Sequence, residues 1–169
     1  MATRNSIWIL FGIFVISAWA LGSAVQVGAE TLNYKFYTYV IKQEAAPVAD
    51  VEEHIVVLRI RGAFLVFENG EVATIKHHVT TADFIKGAGP FQQYQTINFE
   101  DSSTITIKSQ GTVGGPAAKW TSEIIKGTGR FEGIKGTDSA KVKYLPVEKG
   151  EAGPKAYGEG TLTFTLPSK

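Results

Sequence analysis

The sequence predicts an all-β fold: an eight-stranded antiparallel closed barrel preceded by an N-terminal export segment. Three observations point there. Stretches of period-2 alternation rich in Val, Ile, Thr, Tyr and Phe recur between clusters of Gly, Pro, Asn and Asp. Long helical periodicity is missing from the same region. The chain that follows the N-terminal apolar run, residues 30–169, is the size of one domain with one core, and eight short strands in that length suit a small barrel.

The elements follow in order. MATRN precedes SIWILFGIFVISAWALGSA, an apolar run opened by Arg4 and closed by small residues, which is the pattern of a secretory signal. Small residues at Gly22-Ser23-Ala24 and Val27-Gly28-Ala29 mark two cleavage sites. The second is preferred because Glu30-Thr31 begins polar, strand-like sequence, giving a signal peptide at 1–29 and one barrel domain at 30–169. From Ile7 to Ala29 only Gln26 is strongly polar, so the same run is also long enough, by the ~20-residue criterion, to serve as an uncleaved anchor. Either way the domain is expected to be secreted or periplasmic, touching a membrane only through that segment.

Strands are expected at 32–41, 54–67, 71–81, 91–99, 103–112, 119–126, 140–145 and 155–166. Glu68-Asn69-Gly70 carries the Asn-Gly pair of a type I′ hairpin, and Glu100-Asp101-Ser102 is a second tight turn. Gly114-Gly115-Pro116 and residues 150–154 are further breaks. Residues 43–50, with Pro47 inside, form the longest connection, between the first two strands. Closure removes the exposed edges that make an open antiparallel sheet prone to aggregation.

Strand parity assigns the interior. On the first strand Leu32, Tyr34, Phe36 and Val40 face in, leaving Tyr37 and Tyr39 outside. On the second, Val56, Leu58 and Ile60 share a face with His54, opposite Arg59 and Arg61; on the third, Ala73, Ile75 and Val79 share one with His77, opposite His78. The later strands place Phe91, Gln93, Gln95, Ile97 and Phe99 inside, then Ile105, Ile107, Trp120, Ser122 and Ile124, then Val142, Tyr144, Leu162, Phe164 and Leu166. The wall is mainly apolar with a few convergent polar groups, the composition of a small-molecule site.

Several chemistries are excluded or unsupported. Lys and Arg number 17 against 16 Asp and Glu, which argues against a nucleic-acid footprint. No cysteine is present, so disulfides, thiolate nucleophiles and Cys-ligated metals are ruled out. Gly-x-Ser-x-Gly, His-Glu-x-x-His, the phosphate-binding loop and a dinucleotide fingerprint between strand and helix are all missing, and no cofactor is expected. His77 and His78 are adjacent on a strand, point to opposite faces and cannot chelate one ion together, so no metal is expected either. Glu52-Glu53-His54 is the one cluster that could supply a general base.

The segment Ile125-Lys126-Gly127-Thr128-Gly129-Arg130-Phe131-Glu132-Gly133-Ile134-Lys135-Gly136-Thr137 is the most distinctive stretch, with Phe131 and Ile134 placed to plug a barrel end. Together with Phe99-Glu100-Asp101-Ser102-Ser103-Thr104-Ile105 and the final Gly158-Glu159-Gly160-Thr161-Leu162-Thr163-Phe164, it resembles the C-terminal signature of the allene oxide cyclase barrel superfamily, which includes the dirigent proteins. The resemblance spans residues 91–166. It implies an eight-stranded barrel, commonly trimeric, with a hydrophobic cavity that holds an oxylipin-like or phenolic ligand and steers its cyclisation or coupling by positioning. The family's catalytic residues have no residue-by-residue match here, so the signature marks the barrel rather than the chemistry.

The leading expectation is an exported, cofactor-independent barrel that binds a small hydrophobic molecule, lipid-like or phenolic. Its expected wall is Leu58, Ile60, Ile75, Ile107, Trp120 and Phe164, with His54, His77 and Gln95 as polar contacts. Two alternatives stand beside it. One is an isomerase or cyclase in which His77 or Glu52 moves a proton; the other is a packed barrel acting through an oligomer or partner surface that carries Tyr37 and Tyr39.

Overall fold

The computed structural model describes residues 28–114 and 117–168. Apart from its last two residues, the expected export segment lies outside them. Eight strands run in order: β1 (Glu30–Pro47), β2 (His54–Phe67), β3 (Val72–Ile85), β4 (Gly89–Phe99), β5 (Thr104–Gly114), β6 (Ala117–Thr128), β7 (Lys135–Tyr144) and β8 (Ala156–Thr165). A 3-10 turn at Gly129–Phe131 follows β6. Each strand pairs antiparallel with the next, and β1 pairs with β8 to close the barrel.

Most strand boundaries lie within a few residues of the sequence reading, and the two largest differences are in β1 and β7. β1 continues to Pro47, because Lys42 to Pro47 pair with Ile60 back to Ile55 in a segment expected to be loop. β7 starts at Lys135 rather than 140, because the glycine-rich segment itself pairs with β8, with Gly136 opposite Phe164. The turn at 68–70 is also not type I′. Only Gly70 has positive φ (85°), Gly70 N–H donates to Phe67 C=O, and Phe67 N–H donates to Glu71 C=O, which makes a three-residue loop closed by a left-handed residue. Residues 100–102 repeat that loop with Ser102 in the left-handed position (φ 67°).

Three bulges bend the barrel. An extra residue enters β1 at Ile41, β3 at Lys76-His77 opposite Gly62, and β6 at Ile125. Each reverses side-chain parity on its own strand, since one inserted residue sends every following side chain to the other face.

The two ends of the barrel differ. The end where β1 begins and β8 finishes is packed solid: Leu65, Ile97, Ile105, Ile107 and Leu162 are at most 1% exposed. Phe67, Phe99, Phe131 and Phe164 form a chain of rings there, with centroids 5.3, 4.9 and 6.1 Å apart. Phe131 and Ile134, both buried, come from the connection between β6 and β7 and plug this end. Arg130 lies over Phe99 and Phe131 at 4.9 and 4.7 Å from the ring centroids and pairs with Glu71, covering the plug from outside. Fully burying one such Phe or Ile side chain contributes roughly 1.5–3 kcal/mol. The opposite end, where β2, β4, β6 and β8 begin, is open.

Candidate functional site

A cavity of about 140 Å³ occupies the open half of the barrel. Its apolar wall includes Phe36, Val57, Ala82, Phe84, Phe91, Val113, Trp120 and Val142, and its polar groups include Thr38, Arg59, Arg61, His78, Thr80, Gln93, Gln95, Asp138 and the hydroxyls of Tyr34 and Tyr144. The parity of β2 decides much of this. Phe67, Leu65 and Ala63 point into the core, so Arg61, Arg59 and Val57 point inward by the same alternation. The bulge in β3 then brings His78, Thr80, Ala82 and Phe84 to the interior in place of His77 and Val79.

The sequence-predicted residues therefore divide. Ile75, Gln95 and Trp120 line the cavity. Ile107 and Phe164 are buried in the packed half. Leu58 and Ile60 lie on the outer face of β2, correcting the inward reading; the strand is apolar on both faces, so apolar parity could not choose between them. His54 is also on the outer face, where its Nε2 contacts the Asp83 carboxylate across the β2–β3 pair. His77 is exposed and His78 buried, the reverse of the expectation, because of the β3 bulge. Glu52 is exposed in the loop before β2, so neither proposed proton carrier reaches the cavity.

Where the cavity meets the packed half, Tyr34 Oη donates to Asp138 Oδ1 at 2.7 Å. Gly160 makes this pair possible, since a Cβ there would come within 2.2 Å of the Tyr34 ring. Burial pushes the Asp138 carboxyl up to about 6, opposed by the Tyr34 hydrogen bond. Burial and the neighbouring Asp138 raise the Tyr34 hydroxyl well above its ordinary range.

Higher in the cavity, His78 Nε2 and Gln93 Oε1 are 2.9 Å apart. Burial pushes His78 down to about 4, outweighing the Gln93 hydrogen bond, with Arg61 adding to the fall. The imidazole is therefore neutral at pH 7: Nε2–H donates to Gln93, and Nδ1 is left as an acceptor. Ser109 and Ser122 share a buried hydrogen bond at 2.8 Å. Arg59 Nε donates to Gln43 Oε1 at 2.6 Å. Burial lowers both arginines from their ordinary value, and the like charge of Arg61 lowers Arg59 further, while the neighbouring Tyr144 hydroxyl opposes the fall in both.

Three buried polar atoms that face this cavity have no hydrogen-bond partner among the described residues: Thr38 Oγ1, Thr80 Oγ1 and Arg61 Nε. Buried polar atoms are nearly always paired, with protein groups or with ordered water, so these three face space that a water or another polar atom can fill. Among the described residues no group of three His, Asp or Glu side chains is arranged to hold a metal ion.

Solved structures similar to this barrel include a protein of unknown function from the DUF3224 family of Shewanella oneidensis, 13% identical at a TM-score of 0.60 over 83% of this chain and 100% of that one. Two pterocarpan synthase dirigent proteins match at TM-scores of 0.52, with 16% and 15% identity, over 83% of this chain and 92% and 97% of theirs. The fold is that of a dirigent-like barrel. No protein-family model matches the chain, and no curated protein matches it by sequence. The dirigent-like architecture accords with the resemblance carried by the glycine-rich segment, and at these identities the likeness is one of fold.

Proposed function

We propose that this dirigent-like barrel is exported and binds a small, largely apolar molecule in its open half without a cofactor. The observation that carries the reading is the cavity of about 140 Å³, walled by aromatic and aliphatic side chains and faced by unpaired polar atoms of Thr38, Arg61 and Thr80. That two similar barrels are pterocarpan synthases supports it, since the same architecture there serves a small-molecule product. Thermal melting across a panel of single-ring phenolics and short acyl lipids tests the reading. A guest at 100 times its Kd adds about 2.7 kcal/mol to stability and raises Tm measurably. A panel that leaves Tm unchanged refutes it. N-terminal sequencing of the chain recovered from an exported fraction tests export; a chain retained in the cytoplasm refutes it.

A second reading rests on the outer face. On β2, Val56, Leu58, Phe64 and Val66 are exposed, with Phe64 at 53% and Val66 at 52%, and Tyr37 and Tyr157 are also exposed. Tyr39 stacks on Phe64 at 6.2 Å. A strand apolar on both faces suits a subunit interface, and a homo-oligomer is the natural occupant. Sedimentation of a Phe64→Ser, Val66→Ser double variant should give a monomer where the parent self-associates. A monomeric parent would remove this reading.

A further inference from the structure

Arg59 and Arg61 point to a more specific guest. They are two residues apart on one strand, so both face the interior with Cα atoms about 7 Å apart. Neither forms an ion pair among the described residues. Both are half-buried with only neutral neighbours, Tyr144 beside the pair and Gln43 on Arg59, and a partly desolvated cation without a counter-charge is costly. The acid that faces the same cavity, Asp138, is engaged by Tyr34 where the cavity meets the packed half. The cavity thus has a cationic side, with Arg61 Nε as an unpaired donor, and an acidic end that turns an anion away.

Size narrows the guest further. A cavity of about 140 Å³ is close to the roughly 150 Å³ at which an engineered apolar cavity takes up benzene, so it has room to seat one ring. Phe84, Phe91 and Trp120 supply flat apolar surface to receive that ring.

We propose that the guest is a monocyclic aromatic carboxylate, seated with its carboxylate on the guanidinium groups of Arg59 and Arg61 and its ring against Phe84, Phe91 and Trp120. Forked guanidinium–carboxylate hydrogen bonds supply the match, and burial strengthens them. This rests on the reading of the barrel as a small-molecule binder. A neutral phenol of equal size would leave both cations uncompensated.

Isothermal titration calorimetry of the full chain with benzoate and 3-phenylpropanoate, each beside its neutral amide, tests the proposal. The acids are expected to bind at least tenfold tighter than the amides. Arg59→Gln and Arg61→Gln should each cut the ratio of acid to amide affinity to below about threefold, whatever they do to amide binding itself. Equal affinity for acid and amide in the parent protein overturns the aromatic-carboxylate proposal and leaves the small-molecule reading standing, and this comparison needs no variant. Failure of the acids, the amides and the phenolic and lipid panel alike overturns both. Acid preference that survives in both variants overturns the assignment to these arginines.

Discussion

Asp138 and His78 face one cavity, titrate in one pH window and act on stability with opposite signs. The folded protein holds Asp138 at about 6 against an ordinary 3.8, so between these values the native state binds a proton that the unfolded chain has lost. Stability from this carboxyl is full below pH 4 and declines as pH rises through 6. His78 sits at about 4 against an ordinary 6.5, so across nearly the same window the unfolded chain binds the extra proton. Stability from the imidazole is full above 6.5 and is lost as pH falls through 4. Each displacement corresponds to about 3 kcal/mol, so the two nearly cancel in the parent protein. Replacing one exposes the other. Asp138→Asn keeps an acceptor for Tyr34 and should gain about 3 kcal/mol of stability between pH 4 and 7 relative to the parent's profile. His78→Gln should lose about as much over the same range, and the double variant should follow the parent. Equilibrium urea unfolding at pH 4, 5, 6 and 7 reads this directly. Subtracting the parent's curve removes the contribution of exposed carboxylates such as Asp101 and Glu151, which ion pairs and hydrogen bonds hold below the ordinary range. An Asp138→Asn profile parallel to the parent's would refute the reasoning.

Three further outcomes are expected. Gly160→Ala brings a methyl group within 2.2 Å of the Tyr34 ring and should break the Tyr34–Asp138 hydrogen bond, costing about 1–3 kcal/mol in urea unfolding. Phe131→Ala removes the central ring of the plug and should cost about 3–5 kcal/mol in a thermal or urea melt, with guest affinity unchanged because the cavity is at the other end. Arg130→Ala removes a partly exposed cation from Phe99, Phe131 and Glu71, and a stability loss of about 0.5–1 kcal/mol that shrinks in high salt is expected from denaturant titration.

Strand number and barrel closure were legible in the sequence because alternating segments and turn residues report backbone geometry directly. The plug was legible for a similar reason: Phe131 and Ile134 are the large apolar residues in a glycine-rich connection, and nothing else there can fill a barrel end. The cavity was legible only in part. β2 carries apolar residues at both parities, so Val56, Leu58 and Ile60 competed with Val57, Ala63 and Leu65 for the interior, and the two arginines tipped the choice the wrong way. Working back from Phe67, whose inward face is fixed by the packed end, would have placed Arg59 and Arg61 inside. The β3 bulge leaves no such trace, because Lys76, His77 and His78 read alike on either register, so only the pairing of Arg61 with His78 reveals which histidine is buried. Asp138 was overlooked for want of a partner nearby in sequence; Tyr34 reaches it from the far end of the chain.

The division of the barrel into a plugged half and a hollow half also bears on how such a protein can change over generations. Half-buried arginines without a counter-charge, a histidine held neutral and a buried carboxyl are poor choices for folding, and the ring chain from Phe67 to Phe164 offsets them with stabilisation elsewhere. Residues 59, 61, 78, 93 and 120 line the open half and have no part in the ring chain of the closed one, so substitutions there change the cavity wall without touching the plug. If the open half does bind a guest, the guest-contacting residues and the glycine-rich plug are separate parts of the barrel, so the most recognisable part of the sequence is the part least informative about what would be bound.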